Sequence, residues 1–129
     1  VEHAENTLAD ATAAAARLLR EYPQINVLIG FNEWMTLGVG AAIRDADAAA
    51  RVRAVGFDAN VVSVAMLETG EMDALIVQDP YAIGYLGVRY AVALAGGEQA
   101  PAQPVHTTVA TADRTNMFDE DMQKLLFRF

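Results

Sequence analysis

Cysteine is absent from this 129-residue chain, so neither a disulfide frame nor a thiolate metal site can form. Lysine is nearly absent too: Lys124 stands alone, and the arginines are scattered. With 17 acidic against 9 basic residues the formal net charge is −8. That balance argues against a nucleic-acid partner, because phosphate-backbone binding runs on clustered cations. The two histidines, His3 and His106, lie far apart and poorly accompanied, so solvated or capping roles suit them better than metal ligation. No metal and no cofactor is expected. No apolar run approaches the roughly 20 residues that span a bilayer. No leader is visible either, since the chain opens on Val1-Glu2-His3; an exported parent would have lost its targeting segment, or carry it outside this sequence. There is no GxGxxG after a strand, as Gly38 and Gly40 fall inside a helix, and no phosphate loop or nucleophile elbow. Glu33 and Asp58 could form a carboxylate pair, but nothing marks either as an acid or base. An enzyme is not expected.

What is present is apolar. Hydrophobic residues make up 53% of the chain, which fits a single globular domain with a real core. The Ala-rich stretch from Thr7 to Arg20 reads as a helix with Thr7 as its N-cap and Pro23 just past its end. Short apolar strands follow at about Val27–Gly30, Val52–Phe57 and Ala74–Val77, and a β-branched fourth at Val105–Ala110. Helices are expected between them: Met35–Ala50, Val61–Leu67 closed by Gly70, and Pro80–Leu94 opened by its proline. A last short helix spans Asp119–Leu126. Continuously apolar strands alternating with helices imply an α/β fold, a parallel sheet with helices on both faces.

In open sheets of this kind ligands sit outside the carboxyl ends of the strands. Phe31-Asn32-Glu33 follows the first strand, Phe57-Asp58 ends the second, and Gln78-Asp79 the third. Asn, Asp and Gln make paired hydrogen bonds to neighbouring hydroxyls, and an aromatic ring can lie against the C–H face of a sugar. Asn32 and Asp58 also suit N-caps, since each precedes a helix. Gln78 discriminates: Gln caps poorly, and Asp79 stands nearer to Pro80 for that task. Phe57 could be core, and Trp34 could pack on a helix flank. A phosphoacceptor role for Asp58 would resemble a response-regulator receiver, but an acidic pair after the first strand and a Lys after the last are both missing.

Several ordered blocks carry a resemblance. They are Tyr22-Pro23-Gln24-Ile25-Asn26-Val27, Phe31-Asn32-Glu33-Trp34-Met35-Thr36-Leu37-Gly38, Val55-Gly56-Phe57-Asp58, and the run from Leu67 through Gln78-Asp79-Pro80 to Gly84. Together they resemble bacterial periplasmic sugar-binding proteins of the ribose-binding type, a type I periplasmic-binding-protein (flavodoxin-like lobe) fold. The second block departs from that family's "N-D-x-M-A-L-G" at Glu33, with Trp34 beside it. The resemblance implies two α/β lobes closing on a small carbohydrate without chemistry, a periplasmic location, and a membrane permease of an ABC importer as partner. It implies ligand contacts from Asn32, Asp58 and Gln78, with Phe57 beside Asp58. Asn6 stands where relatives often carry a ring-stacking aromatic. By the same resemblance, residues 1–79 are part of the C-terminal lobe, 80–104 belong to the other lobe, and 105–129 are the return strand and tail. The chain would then be a C-terminal fragment, with an unpaired edge at Val27–Gly30 and an uncovered Pro80 helix, and is expected to be homo-oligomeric. The alternative is the effector-sensing core of a sugar-responsive LacI-type regulator, which shares the blocks up to Asp58.

Overall fold

The structure is a computed structural model that describes residues 1–127. Its elements in chain order are α1 (Leu8–Glu21), β1 (Val27–Ile29), α2 (Glu33–Asp45), β2 (Arg53–Phe57), α3 (Val61–Thr69), β3 (Ala74–Gln78), α4 (Pro80–Ala95), β4 (Val109–Asp113) and α5 (Glu120–Leu126). Local chemistry explains most of the boundaries. Thr7 caps α1, its hydroxyl accepting from the Asp10 amide at 3.2 Å. Gly70 ends α3 at φ 93°, a left-handed conformation that glycine adopts freely. Asp79 caps α4 by accepting from the Ala82 amide at 2.9 Å, and Pro80 occupies the first turn, where its missing N–H costs nothing.

Strands β1, β2 and β3 run parallel, with Leu28 opposite Ala54 and Gly56 opposite Leu75. The period-2 alternation sends Leu28, Ala54, Gly56, Leu75, Val77 and Ala112 to one buried face. Against that face packs α2, with Leu37, Val39, Ala42 and Ile43 buried. Helix α1 lies on α2 through a stripe at helical spacing, Ala11, Ala15 and Leu19. Leu67 of α3 and Leu126 of α5 complete the core. The opposite sheet face is more open: Ile29 is 48% exposed, and Val55 and Ile76 are half-buried.

The last strand departs from expectation in place and direction. It spans Val109–Asp113 rather than Val105–Ala110, and it pairs antiparallel to β3, with Gln78 opposite Val109, so the sheet is mixed. The cause is how the chain returns. Residues 80–108 leave the sheet at its carboxyl edge and re-enter there, the Asp79 amide donating to the Thr108 carbonyl at 3.2 Å. A strand starting at that edge can only run back down. Val105 and Thr107, which favour a strand by composition, instead flank a groove beside α4.

Helix α2 sits close because glycines give it room. A Cβ on Gly38 would lie 2.6 Å from the Ala11 carbonyl carbon and 2.7 Å from the Thr12 nitrogen, both backbone atoms of α1. Gly38→Ala is therefore expected to push α1 off α2 and cost roughly 1–3 kcal/mol in urea unfolding. Gly84→Ala on α4, where nothing lies within 4 Å, should instead be neutral or gain up to about 1 kcal/mol from helix propensity. Equal effects at the two positions would contradict this packing.

Candidate functional site

The parallel register brings the carboxyl ends of β1, β2 and β3 to one edge, and the singled-out side chains follow from it. Asn32 lies just beyond β1 and does two things. Its Oδ1 accepts from the Met35 amide at 2.9 Å, capping α2, while its Nδ2 donates to Asn6 Oδ1 at 3.1 Å. Capping uses only the carbonyl oxygen, so the amide nitrogen is left to reach across the edge. Asn6, just before α1, is exposed.

Asp58 follows β2 with φ 66°, one of two non-glycine residues at positive φ among those described. Asp tolerates this region better than most residues. Its amide is held by the Ile76 carbonyl at 2.9 Å. Its Oδ1 accepts from Gln78 Nε2 at 3.1 Å, the one described contact joining two of the expected ligand residues across neighbouring strands. Both residues are half-buried and line a recess of about 190 Å³ with Val77, Pro80, Ile83 and Leu126. Asp58 Oδ2 and Gln78 Oε1 take part in no described hydrogen bond, which leaves acceptors for hydroxyl groups.

Asp58 is not a cap. Asn60 caps α3, its Oδ1 accepting from Val62 and Ser63 amides at 2.9 Å each, while Ser63 Oγ accepts from the Asn60 amide at 2.9 Å. This reciprocal box was legible as Asn60 before an apolar run with Ser63 three residues on. Among the described residues no hydrogen bond joins the Asn6–Asn32 pair to the Asp58–Gln78 pair. They are linked at one remove: Asn60 Nδ2 donates to Glu33 Oε1 at 2.5 Å, and the Phe31 and Phe57 rings lie 6.2 Å apart. Phe57 is half-buried, Phe31 is 70% exposed, and Trp34 is 41% exposed. Phe31 and Glu33 thus stand at the edge where the strand order puts them, while Asn60 was missed as their neighbour. No arginine or lysine enters this described hydrogen-bonded set, whose ionisable members are Glu33 and Asp58.

A larger groove, about 590 Å³, lies along α4 between Ile83, Leu86, Tyr90 and the 101–107 segment. It is apolar and lacks the paired amide and carboxylate groups of the strand ends, so the chemistry for hydroxyl groups lies at the smaller recess.

The family model of the periplasmic binding protein domain matches residues 1–99. The chain belongs to the periplasmic binding protein domain family. It is 32% identical over 82 residues to the D-allose-binding periplasmic protein of Escherichia coli, a match covering 64% of this chain and 26% of that protein. It is 31% identical over 86 residues to the D-ribose/D-allose-binding protein of Pseudomonas aeruginosa, covering 67% and 27% of the two chains. Among solved structures it is similar to a carbohydrate transporter solute binding protein from Agrobacterium radiobacter in complex with D-arabinose. That similarity has a TM-score of 0.89 at 30% identity, over 95% of this chain and 41% of the other. The matched part of the chain thus spans about a quarter of the length of these curated relatives. Within this family the chain's fold is that of an α/β lobe, and the similar proteins are described as sugar-binding, the one from Agrobacterium radiobacter as a carbohydrate transporter component.

The capping assignment has a direct check. Asn60→Ala should cost about 1 kcal/mol of unfolding free energy. Asp58→Gly should stay within about 0.5 kcal/mol of wild type, because relief of the positive φ offsets the lost Gln78 bond. If chemical denaturation shows Asp58→Gly losing as much as Asn60→Ala, the division of labour between them is wrong.

Proposed function

We propose that this chain supplies part of one lobe of a periplasmic sugar-binding protein, the solute-binding component of an ABC-type importer. The carboxyl edge takes hydroxyl groups of a small carbohydrate through Asn32, Asp58 and Gln78, with Phe57 beside them and Asn6 backing Asn32. The observation that carries this reading is the Asp58–Gln78 hydrogen bond at 3.1 Å, which fixes a carboxylate and an amide side by side with one acceptor of each left over. Neighbouring hydroxyls of a polyol present the matching donors. Family membership and the sugars named for the relatives support the same class of ligand. No bond of the ligand is broken: the lobes close, water leaves, and the closed form docks on a membrane permease. The importer component is favoured over a LacI-type regulator because the similar proteins reported above are binding proteins, and because the last block carries Gln78 at the end of its strand.

The division into residues 1–79, 80–104 and 105–129 is part of the proposal. It is supported by α4, none of whose described residues is buried, and by the exit and return of that segment at Asp79 and Thr108. A two-lobed site takes contacts from both lobes, so the chain alone should bind D-allose, D-ribose or D-arabinose only at millimolar concentration or weaker. Several absent contacts at about 1 kcal/mol each account for that. In a protein carrying both lobes, Asp58→Ala should cost roughly 1.5–3 kcal/mol of sugar affinity. Micromolar binding by the chain alone in calorimetry would contradict the two-lobe map. Unchanged affinity in the two-lobed Asp58→Ala protein would contradict the role of Asp58.

The chain by itself is further proposed to self-associate. Val27 and Ile29 are 49% and 48% exposed, and β1 is an edge of the sheet among the described residues. Its uncharged sequence carries nothing to discourage pairing with another strand. Light scattering at micromolar concentration should report a dimer or larger species, and Ile29→Lys should return it to a monomer. A wild-type monomer would contradict this.

A further inference from the structure

We infer that Thr36 is a positioning residue for the binding edge, its hydroxyl standing in for the strand that Phe57 lacks. The ladder between β1 and β2 explains the need. The Arg53 amide donates to the Asn26 carbonyl at 2.8 Å, and the Gly30 amide donates to the Val55 carbonyl at 2.9 Å. One step further, Phe57 faces the same side, but the chain beyond Gly30 has turned away into α2. A strand end in that position leaves an N–H and a C=O without partners. Thr36 serves both. Its Oγ1 accepts from the Phe57 amide at 2.8 Å and donates to the Phe57 carbonyl at 2.9 Å. A hydroxyl can do this because it is donor and acceptor at once.

This is not the usual behaviour of a helical threonine. Thr12 and Thr69 donate to the carbonyl four residues back, Leu8 and Ala65, at 2.8 and 2.9 Å. Thr36 instead turns its hydroxyl across to the sheet and is fully buried. Two glycines make room for it. A Cβ on Gly30 would lie 2.6 Å from the Thr36 nitrogen, and one on Gly56 would lie 2.7 Å from its Oγ1. The Thr36 amide in turn donates to the Asn32 carbonyl at 2.9 Å. One residue thus ties the start of α2, which carries Asn32, to the peptide that carries Asp58. The Asp58 carboxylate is aimed at Gln78 from a backbone held on one side by Thr36 and on the other by Ile76.

The structural half of this inference stands without the sugar-binding reading; the functional half rests on it. The test uses amide hydrogen exchange on the isotopically labelled chain, with Thr36→Val removing the hydroxyl at constant shape and Thr36→Ser keeping it. In wild type the Phe57 amide should exchange as slowly as that of Val55, although no strand faces it. In Thr36→Val it should exchange roughly tenfold faster or more, as expected for one unmade bond, and the Asp58 and Gln78 side-chain resonances should move. In Thr36→Ser the rate should stay within about threefold of wild type. Fast exchange of Phe57 in wild type overturns the inference, as do unchanged Phe57 and Asp58 signals in the valine variant or equal loss in the serine variant. If the valine variant does not fold, the wild-type rate and the serine variant still decide. In a two-lobed protein, D-allose as probe should bind about tenfold more weakly to the valine variant and regain affinity in the serine variant. Unaltered D-allose affinity in the valine variant overturns the functional half. An intact exchange pattern with no D-allose binding by wild type supports the structural half and sinks the D-allose reading instead.

Discussion

The close seat of α2 on β1 and β2 is the constraint from which the rest of the molecule follows. Two glycines permit it, and two more seat α2 against α1 and α3. Gly30 and Gly56 yield to Thr36, Gly38 to the backbone of α1, and Gly40 to the sulfur of Met66. Any Cβ at these positions meets atoms already in place, backbone atoms at Gly30 and Gly38 and side-chain atoms at Gly56 and Gly40. The same close approach stacks α1 on α2 and buries Ile43 and Leu67 completely. It also sets the height at which the chain leaves β1, and so where Asn32 stands relative to the end of β2. Packing and binding edge are therefore one arrangement, because interiors at crystal-like density transmit small displacements rather than absorbing them.

The edge that results is polar in a particular way. Its groups come in pairs already joined, amide to amide at Asn6–Asn32 and amide to carboxylate at Gln78–Asp58. Each pair uses one donor and one acceptor and leaves others directed elsewhere. Such pairing lowers the entropy lost when a ligand fixes these side chains, the usual source of affinity in a preorganised site. Asp58 also sits at φ 66° in a peptide tied on both sides, an unfavourable backbone held by its surroundings. Along α4, by contrast, the exposed Tyr81, Tyr85, Val88 and Val92 present a largely apolar surface.

Most of the fold was legible because its signals are local. Short, continuously apolar runs located β1, β2 and β3 to within two residues. Thr7, Gly70, Asp79 and Pro80 marked helix ends by their own chemistry. The parallel order then placed Asn32, Asp58 and Gln78 on one edge. What escaped was set by distant partners. The position and direction of β4 depend on where residues 80–108 return, and composition around Val105 says nothing about that. Asp58 resembled a cap because Asp often is one, whereas Asn60, two residues on, meets the geometry. Thr36 carries no local signal of its role, since its partner Phe57 is 21 residues away. The Asn6–Asn32 contact joins residues 26 apart and has no periodic signature.

The central claim is that three strand ends act together on one polyol. Titrating D-allose, up to high millimolar concentration, into the labelled chain while following side-chain amide resonances tests it most directly. The account predicts that the Asn32 and Gln78 side-chain amides, with the Asp58 backbone amide, shift along a single weak binding curve while Leu86 and Tyr90 of the α4 groove stay still. Shifts confined to the α4 groove, or separate curves for Asn32 and Gln78, would contradict it.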